Sequence, residues 1–363
     1  MNWVDTKLGE ICTLHYGKSL KGYQNNTPED NPVQVFGTNG PIGWTKKPLT
    51  QGPTIVIGRK GAYRGVHIAK RSSWTIDTAY YSELDENRVC LPWMYYRLKL
   101  LDINSMNSGA AIPSTKREDF YSASIRVPDL PTQERIAGVL SAYDDLIENN
   151  RRRIALLEQA ARLLYREWFV HFRFPGHETA KFIDGLPERW EARKVKDLIT
   201  RLKSRPKVRK DEYQAYGQWP CVDQGQDFIG GYTDNREAVY HDGLPLIVFG
   251  DHTRALKFVD FPFARGADGT QIIQSNEERL PQELFYFSLI NVDLSNYAYA
   301  RHFKFLKEQV IIVPTVEMAK IFSDQAKAIF DQIRTFRGQN QKLAKARDLL
   351  LPRLMDGRLP IPE

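Results

Sequence analysis

Two stretches of the chain place an apolar residue at alternating intervals of four and three. The first runs Ile136, Leu140, Tyr143, Ile147, Asn150, Ile154, Leu157, Ala161, Leu164, Trp168. The second runs Phe322, Ala326, Ile329, Ile333, Phe336, Asn340, Leu343, Arg347, Leu350. A heptad seam kept for about four repeats predicts a coiled-coil pair, since each helix needs a partner for its seam. Thr132 and Glu134 give the first helix a polar start, and Pro352 is expected to stop the second because proline lacks the donor a continuing helix requires. Each helix of about 40 residues spans about 60 Å. Asn150, Asn340 and Arg347 interrupt the seam, either fixing its register or being tolerated at a solvated edge.

Before each helix the pattern changes to short apolar runs broken by Gly, Pro, Asn and Asp, such as Val33-Gln34-Val35-Phe36 and Leu246-Ile247-Val248-Phe249, which read as strands. The two halves repeat one another. Trp3, Lys7, Leu8 and Thr13 match Trp190, Lys194, Val195 and Thr200 at an offset of 187. Ile55-Val56-Ile57-Gly58 matches Ile247-Val248-Phe249-Gly250 at 192, Asp77 matches Asp268 at 191, and Val127-Pro128 matches Val313-Pro314 at 186. A period this long excludes a solenoid and indicates a duplicated unit.

The expected fold class is α+β: two similar mixed α/β domains separated by a long antiparallel two-helix coiled coil, a pseudo-two-fold internal repeat. The boundaries are residues 1–128 for the first domain, 129–175 for the central helix, 176–312 for a linker and second domain, and 313–363 for the C-terminal helix. The antiparallel sense follows from connectivity. A compact domain of this size is about 35–40 Å across, so the second helix starts near the end of the first and packs only by running back.

Composition narrows the class further. Of 363 residues, 42% are apolar and 26% charged, and no long apolar run spans a membrane; with no secretory signal visible, a cytoplasmic protein is expected. Cys12, Cys90 and Cys221 lie too far apart for a zinc motif. The net charge of +7 is a mild basic bias compatible with nucleic acid. Gly17-Lys18-Ser19 lacks the earlier glycine of a P-loop, and neither a dinucleotide fingerprint nor HExxH occurs. The absence of any Pro-Pro pair removes the Asn/Asp-Pro-Pro-aromatic motif of amino-methyltransferases. The seven histidines show no ligand spacing. These absences point to a chain without an active site, metal or cofactor of its own.

The loops suit DNA instead. In the first half Lys18, Lys21, Tyr23, Arg59, Lys60, Tyr63 and Arg64 gather around glycines, followed by Ser108-Gly109 and Ser114-Thr115-Lys116. In the second, Arg201, Lys203, Arg205, Lys207, Arg209 and Lys210 form a basic run, with Gln224, His252, Arg254, Tyr299-Ala300, Arg301 and Lys304 beyond it. Lys and Arg neutralise phosphates, while Gln and some Arg pair with base edges. Any one cation is by default a solvated side chain; the recurrence of glycine-flanked basic sets in both halves favours an interface. Asp77 and Asp268 read as turn or structural carboxylates. On the helices, Leu146, Leu156, Leu163, Tyr165, Phe169, Leu349 and Leu351 lie off the seam, and exposed apolar patches of this kind mark a partner surface.

Several segments resemble the specificity subunits of type I restriction-modification systems: Trp168 to Phe174, Gly185-Leu186-Pro187-Glu188-Arg189-Trp190, Gln133-Glu134-Arg135-Ile136 after Val-Pro, and Leu349 to Gly357. The resemblance covers essentially the whole chain, with Arg347 in the seam as a departure. It implies two target-recognition domains and two conserved helices. It also implies double-stranded DNA as ligand, two modification subunits that carry S-adenosylmethionine and methylate adenine, and a restriction subunit. The off-seam apolar residues are where the modification subunits are expected. A stand-alone DNA-binding or scaffold protein without a methyltransferase partner is the alternative.

Overall fold

The computed structural model describes residues 3–61, 63–106, 113–200, 202–266, 268–297 and 301–359. The positions Ser108-Gly109, Arg201 and Tyr299-Ala300 singled out above lie outside the described residues. Six α-helices are present among them: α1 (Leu91–Lys99), α2 (Arg117–Ser122), α3 (Leu130–Phe169), α4 (Gln282–Ile290), α5 (His302–Glu308) and α6 (Val316–Met355). The chain divides into two compact units, Met1–Asn150 with Gly338–Glu363, and Arg151–Arg337. Each long helix is therefore shared. The first part of α3 and the last part of α6 belong to unit 1; the remainder of both belongs to unit 2.

In unit 1 an antiparallel sheet runs in the order Cys12–Tyr16, Ala79–Leu84, Thr54–Gly58, Val66–Ala69. A second sheet places Val33–Gly37 between antiparallel Gly40–Thr45 and parallel Ser73–Thr75. All of Thr54–Gly58 is buried, and its alternation divides the interior. Ile55 and Ile57 face the main core with Leu8, Leu14, Trp93 and Phe120, while Val56 faces Phe36, Ala69 and Ala79. Val4–Lys7 pairs with Ser124–Val127 immediately before α3.

Unit 2 repeats this plan. Thr54–Gly58 corresponds to Leu246–Gly250, flanked by Leu256–Val259 and Thr270–Ile273. Ile247 and Phe249 face one core, Leu246 and Val248 the other. Trp219–Val222 pairs antiparallel with Gly231–Thr233 and parallel with Phe263–Arg265. Glu191–Lys194 pairs with Val310–Val313 before α6. Backbone bonds repeat as well: Gly58 N donates to Gly65 O and Gly250 N to Ala255 O, both at 2.8 Å. One strand differs. Where unit 1 has Cys12–Tyr16 beside Ala79–Leu84, unit 2 keeps among its described residues a single bridge, Ile199 to Ser275.

The helices pair antiparallel inside each unit. In unit 1 the Asn150 amide donates to Asn340 at 3.0 Å and to Gln339 at 3.3 Å, and Arg347 forms an ion pair with Asp144. Asp144 also accepts from the Tyr96 hydroxyl at 2.6 Å. The polar seam residues are thus partnered, which is how a buried polar group avoids its desolvation cost. In unit 2 Arg337 meets Glu158 at 3.1 Å and lies 3.8 Å over the Phe228 ring. Every seam position named above is buried or half-buried.

One local expectation is extended and another corrected. Helix α3 opens at Leu130, capped by Asp129, whose carboxylate accepts from Thr132 N at 2.9 Å. Its buried Gln133 ties the first turn to the start of α1, accepting from Cys90 N and donating to Arg88 O and Pro128 O. Pro352 does not end α6, which continues to Met355. Leu351, Leu354 and Met355 are buried in the unit 1 core. At roughly 1.5–3 kcal/mol for each side chain, their burial outweighs the ~3 kcal/mol of an interior proline.

Candidate DNA interface

In unit 1, four sequence candidates converge where three strands end and α2 begins. Gly58 closes the central strand, and Arg59 N and Lys60 N both donate to Thr78 O, at 2.9 and 3.2 Å. Thr115 N bonds Arg59 O at 3.0 Å, which brings Lys116, the residue before α2, to the same edge. Gly17 N bonds Ala79 O and Lys18 N bonds Thr75 O. A β-carbon on Gly17 would stand 2.1 Å from Ile76 O, so this close approach requires glycine. Lys18, Lys60 and Lys116 are exposed.

Arg59 is anchored. Its Nε and Nη2 donate to Asp77 O at 3.2 and 2.6 Å, and its guanidinium lies 5.2 Å from the Tyr16 ring and 5.9 Å from that of Tyr80. Arg117 lies 4.7 Å from the Tyr16 ring and donates to Leu14 O. Burial beside Tyr16 pushes the Tyr80 phenol up, and its hydroxyl donates to Thr115 O. Tyr16 and Arg117 are absent from the residues chosen by sequence. No glycine-flanked basic run marks them, because strand pairing and α2 bring them together from positions a hundred residues apart.

Arg64 is corrected from DNA contact to core residue. It is 2% exposed, and its Nη2 donates to Ile103 O and Asn104 O. Asn104 in turn accepts from Arg64 N. Tyr63 is exposed beside it, and Lys21 stands in an exposed loop.

Unit 2 uses the same place differently. After Gly250, Asp251 N bonds Gly269 O at 2.7 Å, as Arg59 N bonds Thr78 O. Gln224 is spent on the loop: its Nε2 donates to Asp268 O and its Oε1 accepts from His252 N. Lys207 bonds Asp268 at 2.9 Å and holds that carboxyl below its usual range, with Arg265 and Arg301 adding to the effect. Arg301, the residue before α5, holds the place that Lys116 holds before α2. His252, Lys207, Arg301 and Lys304 are exposed. Arg254, exposed and left-handed at φ 61°, donates to Leu294 O. Arg205 stands 5.6 Å over the Tyr240 ring.

On the helices, Leu146, Leu156, Leu163 and Leu349 are exposed. Tyr165 and Phe169 are corrected: both are buried, with ring centroids 6.1 and 5.2 Å from Phe322. Phe169, Phe174 and Trp190 stack into the same cluster, which assigns the aromatic segment after α3 to the unit 2 core. Leu351 is buried in unit 1. Among the described residues no three His, Cys, Asp or Glu side chains form a metal-binding group, and no helix is long and apolar enough to cross a membrane.

The molecule is a duplicated α/β protein with a matched loop cluster on each copy and two long helices common to both. Residues 1–159 match the family model described as the type I restriction modification DNA specificity domain. The chain is 24% identical over 342 residues to the type I restriction enzyme MjaIX specificity subunit of Methanocaldococcus jannaschii, covering 85% of this chain and 78% of the relative. It is 22% identical over 298 residues to the MjaVIII specificity subunit of the same organism, covering 74% and 70%. Its fold matches the crystal structure of the type I restriction-modification S subunit from M. genitalium, with a TM-score of 0.60 at 16% identity, covering 100% of this chain and 97% of that one. Over residues 1–159 the chain matches this DNA specificity domain, and along most of its length it is similar to specificity subunits of type I restriction enzymes.

Proposed function

We propose that the chain reads a split, asymmetric DNA target with a spacer of fixed length, one half through each unit, and recruits modification subunits to its helices. The observation that carries this reading is the repetition of a basic loop cluster at the same place in two copies of one domain, joined by two continuous helices of 40 residues each. Lys18, Lys60 and Lys116 in unit 1, and Lys207, His252, Arg301 and Lys304 in unit 2, supply phosphate contacts and orientation. Because the clusters differ in residue type, the two half-sites differ in sequence. Half-sites read from one face of B-DNA lie about 34–36 Å apart, one helical turn.

The exposed Leu146, Leu156, Leu163 and Leu349 offer the modification subunits an apolar surface. Those subunits hold S-adenosylmethionine and methylate adenine; a restriction subunit joins the same assembly. This chain contributes recognition and placement. The test is a genome-wide map of methylated adenine in cells with and without the chain. Methylation confined to a two-part motif with constant spacing, lost on deletion of the chain, is the expected result. An unchanged map, or a contiguous motif, overturns the reading.

A further inference from the structure

The lysines of the unit 1 cluster are exposed point charges on flexible stems, whereas Arg59 is held in one orientation. Its side edge, Nε and Nη2, is committed to the Asp77 carbonyl. Its face lies against Tyr16 and Tyr80, and Arg117 lies against Tyr16 in turn. The end edge remains: Nη1 and the second Nη2 hydrogen have no protein partner among the described residues. That end is a planar two-donor fork, the arrangement that pairs with O6 and N7 of guanine in the major groove. A fork already fixed by a carbonyl and two rings loses little freedom on binding, and so discriminates bases better than a mobile lysine does.

We propose that Arg59 reads a guanine in the half-site bound by unit 1, with Tyr16 and Arg117 as the residues that position it. This rests on the split-target reading above and names one of its specificity determinants. Among the described residues, the matching positions of unit 2 hold no such fork. Asp251 stands in the place of Arg59, buried and accepting from Phe303 N at 2.8 Å. His302 stands in the place of Arg117, buried with its ring nitrogens against the carbonyls of Asp251 and Tyr297. The guanine read by this fork therefore lies in the half-site bound by unit 1.

The experiment selects duplexes from a randomised library with the full chain assembled with its modification subunits. Wild type should enrich a two-part motif; failure to do so removes the split-target reading and this inference together. Arg59→Ala should leave one guanine position of one half degenerate, a loss of about tenfold or more in preference there, with the other half intact. Arg59→Lys keeps the charge but not the fork and should lose the same preference. Tyr16→Phe should retain the guanine, and Tyr16→Ala should weaken it at that position alone. An intact two-part motif in Arg59→Lys, or an Arg59→Ala variant that weakens binding evenly across all sequences while melting like wild type, overturns the proposal.

Discussion

Arg59 and Arg64 are five positions apart, each next to a glycine in one basic stretch, yet their fates are opposite. Arg64 is drawn inward by two carbonyls some forty residues downstream, and Arg59 is turned outward by another. Residue type and an adjacent glycine are shared by the two, and the difference lies in their long-range partners. His67 shows how the same interior sets a titration. Burial, with Lys99 nearby, holds its imidazole below the ordinary 6.5. The unfolded chain then binds a proton that the folded chain refuses, so stability falls as pH drops through 6.5 toward the lower folded value. A melting series from about pH 8 to pH 5 should show this fall reduced in His67→Gln relative to wild type. Parallel curves for the two proteins would contradict it.

The helices were the most legible elements, because a 3.5-residue period specifies which side of a helix needs a partner. What the period left open was the second side. Leu163 and Tyr165 both lie off the seam; one is exposed and the other is buried against Phe322. Tyr165 meets Phe322 at the start of α6, and Phe322 in turn packs on Phe287 of α4, so the globular part of unit 2 closes over this end of the helix pair. Leu156 and Leu163 are 64% and 51% exposed, so Leu156→Asp with Leu163→Asp should cost no more than about 0.5 kcal/mol per site. Modification subunits should nevertheless fail to co-purify with the double variant. Normal co-purification would move the docking surface elsewhere.

At the scale of the molecule, the duplication is visible in the sequence and recurs in the central strand pairings, parallel and antiparallel alike, while the edge strands differ between the copies. On the proposed reading the paired helices set the spacer. Removing one heptad from each, around Asn150 and Asn340, keeps the seam in phase and shortens the pair by about 10 Å, or about three base pairs. The methylated motif in cells should lose that many spacer positions, or methylation should vanish. A spacer of unchanged length would show that the helices do not measure it.

The sequence by itself determined the repeat, the long helices and their antiparallel pairing, and the loop segments that carry basic side chains. These follow from local periodicity, from the likeness of the two halves and from chain connectivity, all of which are properties of the linear chain. Only the tertiary structure decided that α6 runs through Pro352, that Tyr165 and Phe169 are core, that Arg64 is structural, and that Tyr16 and Arg117 join Arg59. Each of those outcomes depends on a partner far away along the chain, and burial is a property of that encounter rather than of the residue.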